Sequence, residues 1–341
     1  MMEGKKIFCS DIWKLDFISE TFNEEIENPN EVIIKSHFTH LSAGTEMACI
    51  SGMESFFQIP DTPGYTSVGE IVAMGEAVAE FKIGDLVYTY GPHKQYFKID
   101  ITDRWHGICV KLPKGISPEH AAFTHMAGIA MTALRASSIE LGDWVLITGL
   151  GTIGNMAAQL AQLQGANVIA TDIDDKRIDL ALKSGIKHAI NSLKVDVEKY
   201  IQQECNGNLV STYIDATGGA AVINKSLNLV ELYGEVILLG SPRAPFETNI
   251  TETFQKFHLL PHSLTMKGAL EFTYPTHKTE FNKHSLTRNA EIIMELIKEE
   301  KLVIDHVYSH KLHPANAQQA YEGLRDKKDE YIGVVFDWKE V

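Results

Sequence analysis

Residues 144–154 read Trp-Val-Leu-Ile-Thr-Gly-Leu-Gly-Thr-Ile-Gly, and this stretch restricts the fold more than any other. An apolar, β-forming run enters a G-x-G-x-x-G spacing, and a helical pattern with small residues on one face follows over 153–163. The spacing has a physical purpose. Gly149 permits a tight turn, Gly151 lets the backbone approach a pyrophosphate, and Gly154 lets the helix pack close to the strand. The helix start, with Thr152 and Ile153 in its first turn, offers free N–H groups and a positive dipole end to phosphates. Glycines cluster in many turns, so the spacing alone is weak, but its context strengthens it. The next strand, 167–171, ends in front of Asp172, 18 residues beyond Gly154. A carboxylate there can hydrogen-bond the adenosine ribose hydroxyls and repel a 2′-phosphate. Asp172 and its neighbour Ile173 are therefore read as part of a dinucleotide site that takes NAD in preference to NADP. Arg177 weakens that preference, since it could receive a phosphate, although such an arginine more often sits solvated on its helix.

Strands and helices continue to alternate beyond this site. A helix is expected over 174–183, a strand over 210–215, a helix over 220–229 and a strand over 234–240, which predicts an α/β fold with a parallel, doubly wound sheet. Ligands bind such sheets at the carboxyl ends of the strands, which places Thr217, Gly218, Gly219 and Gly240 along the cofactor path or, equally, in plain turns. The first 115 or so residues have another texture. Short strand candidates at 31–35, 67–75, 81–88 and 95–99 are punctuated by glycine and proline, as in a β-rich barrel or sandwich. Ser117-Pro118-Glu119 reads as a helix start. The tail holds an amphipathic helix over 289–299, a helix anchored by Pro314 and a strand over 333–336.

Composition removes several classes of function. The 341 residues suggest two domains, and 31 basic against 45 acidic side chains give a net charge of −14. That charge disfavours nucleic acid as a partner, because binding a polyanion needs a basic footprint. Cys9, Cys49, Cys109 and Cys205 are scattered and form neither a disulfide scaffold nor a C-x-x-C motif. No secretory leader and no apolar run of membrane-spanning length is read, so a cytoplasmic protein with no membrane partner is expected.

The motifs taken together resemble the medium-chain dehydrogenase/reductase superfamily, which includes the zinc-dependent alcohol and polyol dehydrogenases. The marks are Gly69-Glu70-Ile71-Val72 through Gly75, Phe81-Lys82-Ile83-Gly84-Asp85-Leu86-Val87, Lys111-Leu112-Pro113-Lys114-Gly115-Ile116, and Leu141-Gly142-Asp143-Trp144 running into the glycine motif. They span essentially the whole chain. The resemblance implies a Rossmann sheet inserted in a GroES-like, β-rich catalytic domain. Residues 1–120 and 271–341 would form the catalytic domain, 121–270 would bind NAD, and the cleft would lie at the junction. It also implies a homodimer or homotetramer paired through an edge strand near 264–269.

The resemblance breaks at the metal. Where the zinc enzymes carry a cysteine ligand, this chain has Ala43, in Ala43-Gly44-Thr45-Glu46. Where they carry histidine followed by glutamate, it has Tyr65-Thr66. The third ligand position falls on His125, and the cysteine-rich structural loop after Val87 is missing. A catalytic zinc needs about three protein ligands and an open position, so zinc is not expected. A site rebuilt from His37, His40, His93 and His125 is the less favoured alternative.

Hydride chemistry belongs to the cofactor, and the protein must polarise the substrate oxygen and manage a proton. Thr45 matches the family's proton-relaying hydroxyl, or else caps a turn. Tyr65 could donate to a carbonyl oxygen. His125 titrates in the right range to act as acid or base, or else it is a structural helix histidine. Glu46 could orient a histidine or lie in solvent. The expected function is a zinc-independent, NAD(H)-dependent oxidoreductase interconverting an alcohol and a carbonyl on a small polar substrate. The alternatives are an NADPH-dependent quinone or enoyl reductase, and a catalytically silent nucleotide-binding protein.

Overall fold

The computed structural model describes residues 1–341, and the chain divides between two units. One contains Met1–His125, Tyr274–Glu300 and Tyr308–Val341; the other contains Met126–Thr273 and Lys301–Val307. No helix is long and apolar enough to cross a membrane.

The first unit opens with an antiparallel hairpin of β1 (Met2–Asp11) and β2 (Lys14–Phe22). There follow β3 (Glu31–Leu41), α1 (Thr45–Ile50), β4 (Ser67–Met74), β5 (Leu86–Thr89), β6 (Tyr96–Asp100), β7 (Cys109–Lys111) and the single turn α2 (Pro118–Ala121). Ser117 is the N-cap of α2, but its side chain makes no capping bond. The strand expected at 31–35 runs on to Leu41. Its second half is polar yet buried, because Leu41, His40, Thr39 and Phe38 pair with a strand from the tail that only the fold brings near. The β1–β2 hairpin has no counterpart in the expected elements, since its charged and apolar residues mix without a clean period.

The second unit follows α3 (Thr124–Ala136), which begins in the first. It runs β8 (Trp144–Thr148), α4 (Thr152–Gln164), β9 (Asn167–Asp172), α5 (Asp175–Lys183), β10 (His188–Asn191), α6 (Val197–Glu204), β11 (Val210–Asp215), α7 (Ala220–Ser226), β12 (Val230–Leu238), α8 (Ile250–His258) and β13 (Thr265–Gly268). The six strands form one parallel sheet in the order β10-β9-β8-β11-β12-β13. This is the doubly wound order expected. Such a sheet is covered on both faces, which is why its strands read as unbroken apolar runs. Val145, Leu146 and Ile147 of β8 are fully buried, each contributing roughly 1.5–3 kcal/mol of transfer free energy. Several bounds differ from the sequence reading. Asp172 is the last residue of β9 and not its successor, the helix from Ala220 tightens into a 3₁₀ turn after Ser226, and β12 starts at Val230. β13 forms one edge of the sheet.

The tail returns to the first unit with α9 (Leu286–Lys298), β14 (Tyr308–Leu312), α10 (Ala317–Asp326) and β15 (Gly333–Asp337). β15 pairs antiparallel with β3 and completes a seven-stranded sheet in the order β14-β15-β3-β4-β5-β7, with β6 also on β3. Trp338, Phe336 and Tyr321 of the tail share one core with Ile7, Leu41 and Ile50.

Candidate functional site

The glycine motif separates what the protein requires from what a ligand requires. Gly149 has φ +88, a left-handed value that favours glycine. A Cβ on Gly154 would stand 1.8 Å from the Gly149 carbonyl oxygen, so α4 can pack on β8 only if that residue is glycine. Gly151 is different. It caps α4 with ordinary backbone angles (φ −65, ψ −174), and nothing lies within 4 Å of where its Cβ would be. No internal contact explains its missing side chain. Open space at the start of a 13-residue helix, next to the buried Thr152 and half-buried Ile153, suits a pyrophosphate.

Asp172 ties this loop to the next strand end. Its Oδ2 accepts from the Leu150 N–H at 2.7 Å, and its Oδ1 accepts from Ile173 N–H at 2.7 Å and Asp174 N–H at 3.1 Å. The carboxylate is only 7% exposed, and Arg177 Nη1 stands 3.6 Å from Oδ2. Arg177 therefore leans on the acid that the sequence set against it. Ile173 is exposed beside them. The loop after β11 has an organiser that the sequence reading missed. Fully buried Asp215 accepts from Thr217 Oγ1 (2.6 Å) and Thr148 Oγ1 (3.0 Å) on one oxygen and from Gly218 N–H (2.8 Å) on the other. Its backbone carbonyl accepts from Gly240 N–H at 2.7 Å. One residue thus joins the ends of β8, β11 and β12. The signal was present as an acid closing a strand directly before Ala-Thr-Gly-Gly. These residues fit a dinucleotide: an open glycine at a helix start, a strand-end acid, and two strand-end loops locked together.

The first unit holds the other candidates. Thr45 is the first residue of α1 and is half-exposed, and Ala43 beside it is exposed. Tyr65, half-exposed, meets His125 edge-on with ring centroids 4.8 Å apart. His125 is 3% exposed; its Nδ1 lies 2.9 Å from Thr66 Oγ1 and 3.2 Å from the Tyr65 carbonyl oxygen. The Thr66 hydroxyl and the Tyr65 carbonyl therefore both face the Nδ1 edge of the ring. Tyr90 lies flat on the same imidazole, centroids 4.1 Å apart and planes 5° from parallel.

The remaining histidines go elsewhere. His37 turns to Glu70, 3.7 Å away. His93 donates from Nε2 to Glu46 Oε2 at 2.8 Å, and its Nδ1 is 2.7 Å from Thr39 Oγ1, which accepts from Trp338 Nε1–H at 2.8 Å. Glu46 is thus buried and binds a histidine, but not one of the candidate catalytic residues. His40 is buried with neither ring nitrogen hydrogen-bonded. Burial above all, with His93 and His125 adding to it, holds its pKa down to about 3.

Ala43 has no side-chain donor atom. No group of three histidine, cysteine, aspartate or glutamate residues is arranged to hold a metal ion.

Known proteins match this arrangement along the chain. Residues 28–160 match the model of the alcohol dehydrogenase GroES-like domain, and residues 152–288 match that of the zinc-binding dehydrogenase domain. The chain is 27% identical over 277 residues to the D-guloside 3-dehydrogenase of Shigella flexneri, covering 80% of this chain and 77% of that protein. It is 24% identical over 336 residues to the L-galactonate-5-dehydrogenase of Escherichia coli, covering 87% and 88%. Among solved structures, galactitol-1-phosphate dehydrogenase from Escherichia coli superposes with a TM-score of 0.83 at 20% identity, over 98% of this chain and 99% of that one.

Proposed function

This chain belongs to the medium-chain dehydrogenase/reductase superfamily, and from that membership we propose an NAD(H)-dependent oxidoreductase that interconverts an alcohol and a carbonyl on a small, polyol-like substrate without catalytic zinc. The observation that carries the cofactor is the open glycine, Gly151, at the start of α4 with the Asp172 carboxylate on the adjoining strand end. The substrate class takes its support from the sugar-derived substrates named for the two relatives. The absence of donor atoms at Ala43 supports zinc-free chemistry.

A bound nicotinamide supplies the hydride acceptor or donor. The chain's own residues then have two tasks. Gly149, Gly151, Thr152, Ile153, Gly154, Asp172, Ile173, Arg177, Thr217 and Gly240 hold the dinucleotide. Thr45 and Tyr65 offer hydroxyls to the substrate oxygen and stabilise the charge that grows there. His125 is buried and meets Tyr65 edge-on, with Nδ1 beside Thr66 Oγ1 and the Tyr65 carbonyl. Its part is to take up the proton released when an alcohol is oxidised and to return it in the reverse direction.

The test uses protein stripped by a chelator and assayed for residual metal. Thermal stabilisation by NAD well above that by NADP is expected, because a ligand that binds only the folded state raises its apparent stability. NADH formation with polyols or sugar acids is expected to survive the stripping. A requirement for stoichiometric zinc overturns the zinc-free reading. Turnover of enones with NADPH alone establishes the quinone or enoyl reductase reading in its place.

A further inference from the structure

We propose that Tyr90 is a positioning residue: its ring, stacked on the His125 imidazole, fixes the plane of that imidazole and through it the loop that carries Tyr65. The inference rests on the reading above, in which Tyr65 and His125 serve the substrate oxygen.

Two constraints are needed to place an imidazole. Its edge must be chosen, because a ring flip exchanges nitrogen for carbon. Its plane must also be fixed. The edge is chosen by Thr66 Oγ1 and the Tyr65 carbonyl, both on Nδ1. Those bonds lie near the ring plane and resist tilting poorly. The plane is fixed by Tyr90, 4.1 Å away and parallel within 5°, while Tyr65 closes on the ring edge-on at 78°. Tyr90 is buried and directly follows β5, so it is itself held by the sheet. His40, the neighbouring buried histidine, is uncharged near neutral pH and neither attracts nor repels the ring. The His125 bond to the Tyr65 carbonyl then transmits the placement. If the imidazole tilts, the backbone of Tyr65 loses its anchor and the phenol moves with it. In the zinc enzymes that the sequence resembles, metal ligands occupy the positions of Tyr65 and His125. Here the two segments meet through rings and the two contacts on Nδ1.

The test compares Tyr90→Leu, Tyr90→Met and Tyr90→Phe in the full chain. Methionine is retained because its flexible side chain keeps the comparison open if leucine fails to fold. Imidazole nitrogen NMR reports which ring nitrogen of His125 bears the proton, with His125→Gln identifying the signals. Leucine or methionine is expected to mix the two tautomers and to lower kcat by roughly ten- to hundredfold, as small misplacements of reacting groups do, with NAD affinity unchanged. Phenylalanine keeps the stack and is expected to restore the wild-type signals and most of the turnover. Wild-type imidazole signals in a folded Tyr90→Leu or Tyr90→Met protein overturn the proposal. So does a Tyr90→Phe variant as impaired as leucine, because the hydroxyl and not the ring would then matter. If His125→Gln turns over normally, the role given to His125 falls, and the imidazole signals still decide whether Tyr90 holds the ring.

Discussion

Tyr321 and Glu46 are 275 residues apart in the chain, and the Tyr321 hydroxyl donates to Glu46 Oε2 at 2.6 Å. Both are buried. The same carboxylate accepts from the Ser42 N–H at 2.8 Å and from His93 Nε2 at 2.8 Å. A buried carboxylate is tolerable only with such donors around it. Burial first, and Glu46 second, hold the Tyr321 phenol well above its ordinary pKa. Tyr321→Phe removes one donor and leaves the charge in place. It is expected to lower the unfolding free energy by about 1–3 kcal/mol in denaturant titrations. An unchanged midpoint would mean that solvent or a neighbour replaces the hydroxyl.

The glycine loop offers a paired test. Gly151→Ala adds a methyl group to open space at permitted backbone angles, so the melting temperature without ligand is expected to match wild type. Its stabilisation by NAD is expected to disappear. Gly154→Ala places its Cβ 1.8 Å from the Gly149 carbonyl and is expected to lower the melting temperature with no ligand present. If both variants lose stability equally, the open space over Gly151 serves the fold and not a ligand.

Asp172 is expected to set cofactor choice. Asp172→Asn weakens hydrogen bonds to ribose hydroxyls and removes the charge that opposes a 2′-phosphate while Arg177 stays beside it. NAD affinity measured by calorimetry is expected to fall roughly tenfold or more, the equivalent of a charged hydrogen bond. NADP is expected to gain relative to NAD. Parallel losses for both cofactors would show that Asp172 chiefly holds the Leu150 and Ile173 amides.

His40 gives a pH dependence of stability. Its folded pKa of about 3 lies below its ordinary value of 6.5. Between those two values the unfolded chain binds a proton that the folded chain refuses. Stability therefore falls as pH drops below about 6.5, by at most about 1.4 kcal/mol per pH unit from this group, and the loss levels off near pH 3. His40→Leu removes the term, so its unfolding free energy is expected to decline less steeply from pH 7 to pH 5. Identical slopes would place the acid sensitivity in other groups.

The second unit was largely legible because its physics is local. A parallel sheet buried on both faces makes apolar runs that stop at glycine or aspartate. β8 and β11 fall on the residues read from sequence alone. The first unit was legible only in fragments. Thr39 and His40 are polar and look like the end of a strand, yet they pair with Phe336 and Val335 nearly three hundred residues later. The meeting of Tyr65 with His125 was suggested by resemblance and not by spacing. The Tyr90 stack had no sequence signal, and the choice of His93 as the partner of Glu46 had none either, because each joins segments related only by the closed fold.

That long-range closure has a consequence for how the protein is made. Trp338 lies in the core of the first unit and hydrogen-bonds Thr39, and β15 is an interior strand of its sheet. A ribosome that has finished residue 125 must still make everything up to residue 338, roughly 10–40 s of synthesis at about 5–20 residues per second. During that interval Phe38–Leu41 of β3 lack β15, and Leu41 and Ile50 have no tail to pack against. The parallel sheet of the second unit is complete in sequence by residue 268. Nascent chains halted after residue 307 are thus expected to protect the amides of β8 and β11 from exchange more than those of the β3 end, Phe38–Leu41, that β15 covers. The first part of the protein to be translated is the last to be finished, and its core stays partly uncovered for as long as the tail is missing.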